Sequence, residues 1–84
     1  MTPRWDEPFD LQVSLVEAMT LRAALRKYVE DFQSHADADG GLTHPREQVE
    51  DVRVAAGRLI WRLEELTAGQ GRVVHSQHAV PPPQ

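Results

Sequence analysis

Two stretches of the chain repeat apolar residues at alternating intervals of three and four positions, the spacing that lines one face of an α-helix. The later stretch consists of Val49, Val52, Ala56, Leu59, Leu63 and Leu66. The earlier stretch has the same spacing and includes one arginine: Leu15, Ala18, Arg22, Leu25, Val29, Phe32 and Ala36. Apolar and polar residues do not alternate over any useful length, so the pattern predicts helices and not strands.

Glycine and proline residues mark the ends of the predicted elements. Gly40, Gly41 and Pro45 lie between the two helical patterns, and Gly69 follows the second. The predicted elements are an N-terminal arm over 1–9, a helix over 10–36, a turn over 37–44, a helix over 45–68 and a disordered, proline-ending tail over 69–84. The fold class is therefore all-α, an antiparallel two-helix hairpin. The residues expected to hold the hairpin together are Leu25, Val29, Phe32, Val52, Leu59 and Leu63.

The small size of the chain makes self-association an expectation in its own right. The chain has 84 residues, and two helices share a single interface, which gives a marginal core. The sequence contains no cysteine, which excludes disulfides and thiolate metal sites as a means of stabilising it. We therefore expect a homodimer or larger oligomer, with two hairpins forming a four-helix bundle.

Apolar residues away from the predicted core indicate where such an interface lies. They fall at the end of the hairpin remote from the turn, which is consequently apolar nearly all round. Gly57 belongs to this set, because a glycine inside a helix is tolerable where two backbones approach closely. The predicted protein interface consists of Val13, Val16, Ala23, Val54, Gly57 and Trp61. A second possibility is that Trp5 and Phe9 of the arm fold back over Trp61 within one chain.

The charge balance argues against strong attraction to nucleic acid or to an anionic membrane. The formal net charge is −4 with the histidines neutral, although a local basic patch can act against the average. No stretch approaches the ~20 apolar residues that span a bilayer, and the N-terminus lacks the apolar region of a secretory signal. The expected location is the cytoplasm.

A group of basic residues in the middle of both helices is the basis of an alternative function. Arg22, Arg26, Arg58 and Arg62 would form a belt on a hairpin dimer that holds nucleic-acid phosphates. Interspersed acidic residues, and the absence of aromatic residues beside the belt on which bases would stack, argue against this function. The competing interpretation is an ordinary solvated helix surface with weak ion pairs.

The turn end of the hairpin carries the side chains that best resemble metal ligands. They are Asp31, His35, Asp37, Asp39, His44 and Glu47. Carboxylate and imidazole groups bind divalent metals, but aspartate and glycine are also common turn formers. We expect the turn-forming role and no bound cofactor or metal.

No set of residues has the spacing of a catalytic site. The serines have no evident base and orienting group, and no glycine-rich phosphate loop is present. The sequence thus predicts a small non-catalytic module that binds copies of itself and another protein, as an adaptor, regulator or assembly subunit. Nucleic-acid binding through the arginine belt is the alternative.

Overall fold

The computed structural model describes residues 7, 8, 10–40, 42, 44–69 and 71–83. Two helices pack against each other, α1 over Leu15–Ala38 and α2 over Arg46–Thr67. No strand occurs within these described ranges. The predicted all-α hairpin is therefore confirmed. Neither helix, over the residues described, combines the length and apolarity needed to cross a membrane.

The first helix begins five residues later than the predicted start at residue 10, because the chain has a strong capping signal at Ser14. The N–H of Glu17 donates to Ser14 Oγ at 3.2 Å, and the N–H of Ser14 donates to Glu17 Oε1 at 2.9 Å. These two bonds form a capping box, which satisfies two amide groups that a helix start leaves unpaired. They also hold the pKa of the Glu17 carboxyl below its usual value.

The turn and the start of α2 follow from proline and glycine geometry. Gly40 has a φ of +65°, in the left-handed region that only glycine adopts at little cost. Pro45, at φ −58°, is the N-cap residue before Arg46, and its apolar side chain makes no capping hydrogen bond. At its other end α2 stops at Thr67, and Gly69 reverses the chain with a φ of +64°.

The core between the helices is small, and the α2 residue at its centre differs from the predicted one. Ile60 is fully buried, whereas Leu59 remains 47% exposed. The buried apolar residues are Ala18, Val29, Ala36, Ala56, Ile60 and Leu63. The expectation that Leu59 holds the hairpin together is therefore wrong, while Val29 and Leu63 are buried as expected. The core on α2 is centred on Ile60 and not on Leu59, because Ile60 is covered on a second side in addition to the side that faces α1.

The C-terminal segment provides that cover. Residues 72–80, part of the tail predicted to be disordered, lie against α1 and α2. We call residues 72–80 the tail segment. It includes a turn in which the Ala79 N–H donates to the Ser76 carbonyl at 3.1 Å. Its proline-ending sequence suggests disorder, but its contacts are made to specific groups on the helices.

Candidate functional site: two sides of the hairpin

The surface beneath the tail segment is built around a buried carboxylate. Glu64 is only 4% exposed, and its Oε2 accepts hydrogen bonds from Arg22 Nε at 3.0 Å and Nη2 at 2.8 Å. The Ser76 N–H of the tail segment lies 3.1 Å from both Glu64 oxygens. His75 Nδ1 also lies near this carboxylate, 3.4 Å from Glu64 Oε1. One carboxylate thus joins α1, α2 and the tail segment.

The pKa of Glu64 reflects two opposing effects. Burial raises the pKa, because the charged form loses water. Hydrogen bonds from Arg22 and from the Ser76 amide lower it by a larger combined amount, so the pKa of Glu64 lies below its usual value. The folded protein therefore favours the ionised carboxylate at this junction.

One turn of α2 away, the tail segment stacks on an aromatic ring. The His75 and Trp61 rings are parallel to within 4°, with centroids 3.4 Å apart. The Trp61 indole N–H donates to Glu65 Oε1 at 2.8 Å, which fixes the ring on the helix surface. On the α1 side, His78 Nε2 lies 3.2 Å from Glu30 Oε1.

Gly57 lets the tail segment approach the α2 backbone. The Val80 N–H donates to the Gly57 carbonyl at 3.0 Å. A Cβ at position 57 would collide with the Val80 side chain and would lie 2.8 Å from the His78 carbonyl oxygen. The close backbone approach predicted for Gly57 is therefore present, but the approaching chain is the protein's own tail. We call the surface formed by Gly57, Trp61 and Glu64 the tail groove.

Among the described residues, large apolar side chains are exposed on the opposite side of the hairpin. Leu21 and Tyr28 lie seven residues apart on α1 and are 39% and 51% exposed. Leu59 and Leu66 lie seven residues apart on α2 and are 47% and 72% exposed.

The rotation of 100° per residue shows that these side chains lie on one side of the hairpin. On α1, this rotation places Leu21 and Arg22 on opposite flanks of Ala18. On α2, the same rotation places Leu59 and Glu64 on opposite flanks of Ile60. The tail segment contacts Glu64, which pairs with Arg22, so Leu21 and Leu59 lie on the side of the hairpin away from that contact. We call this side the open apolar face: Leu21, Tyr28, Leu59 and Leu66.

The residues predicted as a protein interface do not form one surface. Gly57 and Trp61 lie under the tail segment, with Val54 half-buried on that same side of α2. Val16 and Ala23 are exposed on α1, seven residues apart and roughly opposite buried Ala18. Val13 precedes α1 and lines a shallow surface beside Leu66 and Thr67. The alternative cover for Trp61, by Trp5 and Phe9, lies outside the described residues.

The arginines of the predicted belt occupy different surfaces. Arg22 is paired with Glu64 beneath the tail segment, and Arg26 Nε is buried without a hydrogen-bond partner among the described residues. Arg58 and Arg62 are exposed, each two residues from buried Ile60, so they lie on the outer side of α2. The structure therefore does not bring the four guanidinium groups into one patch.

At the turn end, the ligand-like side chains make other contacts. His44 packs against Phe32, with ring centroids 4.5 Å apart, and against His35 at 5.6 Å. Asp31 pairs with Lys27, and Asp37 accepts a hydrogen bond from Gln33. Within the described part of the chain, no three histidine or carboxylate side chains come together as a metal site requires.

The tail segment and the open apolar face are the features that sequence reasoning missed. The combination of Gly57 and Trp61 away from the core did signal a covered surface, but periodicity alone does not say which segment covers it. Comparisons of this chain with protein-family models, with curated proteins and with solved structures gave no match.

Proposed function

We propose that this protein is a non-catalytic interaction module that self-associates through the open apolar face and acts as an adaptor, regulator or assembly subunit for another protein. The observation that carries the proposal is the exposure of Leu21, Tyr28, Leu59 and Leu66 along one side of the hairpin. Large apolar side chains exposed on one side of a small protein are typical of a protein–protein contact. Face-to-face packing of two hairpins would complete a four-helix bundle.

The size of the core supports the same proposal. Only six apolar residues of the described chain are buried, and three of them are alanines, which bury little surface. Stability in so small a domain usually needs an additional contribution, and burial of the open apolar face between two copies would supply one. The four belt arginines do not share a surface, which disfavours the nucleic-acid alternative.

The proposal is tested by measuring the mass of the full chain in solution as a function of concentration, by light scattering. We expect the wild type to form dimers or larger oligomers, and Leu59→Lys to shift the chain toward the monomer. Burial of a leucine contributes about 1.5–3 kcal/mol, so the substitution should weaken association by about tenfold or more.

A matched control is Ala23→Lys, which places the same charge on the outer side of α1. It should leave the mass unchanged if the open apolar face is the interface. A monomeric wild type at all concentrations would contradict self-association. Loss of the oligomer in Ala23→Lys but not in Leu59→Lys would contradict the choice of face.

A further inference from the structure

We propose that the tail groove also binds the tail segment of a second copy, so that the C-terminal segment is an exchangeable link between chains. This contact is separate from the open apolar face and does not depend on it. The tail segment contacts the helices through His75, Ser76, His78 and Val80. It therefore binds the hairpin as a short peptide ligand would.

The groove defines the chemistry of its occupant. Glu64 is buried and ionised, so the occupant must present a hydrogen-bond donor, which the Ser76 amide does at 3.1 Å. Trp61 offers a flat ring face, which the His75 ring covers. Gly57 offers a backbone carbonyl oxygen, which accepts the Val80 N–H, and space for a branched aliphatic side chain, which Val80 fills. The tail segment meets all three requirements, and a second copy carries the same segment.

The connection to α2 allows the exchange. The chain leaves α2 through Gly69, whose φ is +64°, and Gly71 follows within two residues. Glycine permits other backbone angles at little cost, so a change at this joint would redirect the tail segment without altering its own turn. Departure of the segment would leave buried Glu64 without its Ser76 donor. A vacated groove thus favours capture of another tail segment.

The probe is a fluorescent synthetic peptide of residues 72–84, added to full-length protein and followed by anisotropy. The wild-type chain should bind the peptide weakly, because its own tail occupies the groove. A chain carrying His75→Ala and Val80→Asp keeps every groove residue but loses two anchors of its own tail. If the tail fills the groove about nine-tenths of the time, this release should tighten peptide binding by about tenfold.

Two further variants control the measurement. Val74→Asp changes a tail residue that is 78% exposed, and it should bind the peptide as weakly as the wild type. Adding Gly57→Ala to the released chain should abolish peptide binding, since the new Cβ would occupy the position of Val80. Circular dichroism checks that each variant keeps its helices.

The proposal is overturned if the released chain binds the peptide no more tightly than Val74→Asp. It is also overturned if Gly57→Ala leaves the binding unchanged, since the peptide would then lie elsewhere. Repeating the titration with Leu59→Lys separates this contact from the open apolar face. Peptide binding should persist in that variant even where the chain is monomeric.

Discussion

Glu64 shows how one buried charge organises several segments of this small protein. An ionised carboxylate is costly to bury unless donors surround it. Here Arg22 comes from α1 and the Ser76 amide from the tail segment, and both lie within hydrogen-bond distance. In the sequence, Glu64 reads as one of several acidic residues on a helix surface. Its special position depends on groups that are 42 and 12 residues away in the chain.

The lowered pKa of Glu64 predicts a particular loss of stability in acid. A carboxyl group with a pKa below its unfolded value contributes stability above the unfolded pKa of about 4.3, and this contribution is lost as the pH falls through the folded pKa. Glu64→Gln should therefore flatten the decline of the urea unfolding midpoint between neutral and acidic pH. The exposed Asp51→Asn is the control, and an equally flattened decline there would show that the effect is not specific to Glu64.

Gly57 illustrates a residue whose unusual requirement is visible in the sequence but whose partner is not. A glycine inside a helix lowers stability by about 1 kcal/mol relative to alanine, so its presence suggests that something packs closely there. The structure places Val80 and the His78 carbonyl in that space. Helix periodicity predicts that another hairpin approaches Gly57 in this way. Periodicity carries no information about a tail that is not helical.

The helices themselves are determined largely by local signals. The capping box at Ser14 and Glu17 begins α1, and the glycines at positions 40 and 69 reverse the chain after each helix. The predicted start at residue 10 missed the capping box, although the Ser14-x-x-Glu17 pattern was readable in the sequence. Helix ends depend on individual hydrogen bonds, which an apolar repeat does not specify.

Removal of the cap should destabilise the protein by a measurable amount. Ser14→Ala deletes the acceptor for the Glu17 amide and should lower the free energy of unfolding by about 1 kcal/mol. Urea unfolding at a single protein concentration measures this change. Ser34→Ala, an exposed position within the last turns of α1, is the matched control and should change stability by less than about 0.5 kcal/mol. Equal effects of the two substitutions would contradict a specific role for the cap.

The centre of the core on α2 is decided by packing from two directions. The apolar repeat predicts a stripe that includes Leu59 and Leu66, yet both remain exposed while Ile60 is fully buried. Helix α1 covers one flank of Ile60, and the tail segment covers the other, where it contacts Gly57 and Glu64. The repeat counts Leu59 and Leu66 as core because periodicity does not specify which positions on an apolar helix face other elements cover.

Within the described part of the chain, the tail segment thus contacts one side of the hairpin, and the open apolar face lies on the other. If two copies bury the open apolar face, unfolding must also separate them, so stability depends on protein concentration. We expect the urea midpoint of the wild type to rise between low and high micromolar concentration. In Leu59→Lys, the midpoint should vary much less. A wild-type midpoint that is independent of concentration would contradict stabilisation through this face.

Local pattern was sufficient to establish the all-α class, the two helices and the turn between them, because each depends on residues that are close together in sequence. The position of the tail segment, the pairing of Glu64 and the division of the arginines between surfaces required the folded chain. These features arise from contacts between residues far apart in sequence, where the geometry of approach decides which group is buried. The docked position of the tail segment is not readable from the sequence for the same reason: a few well-placed donors and one stacked ring hold it, and their partners lie on other elements.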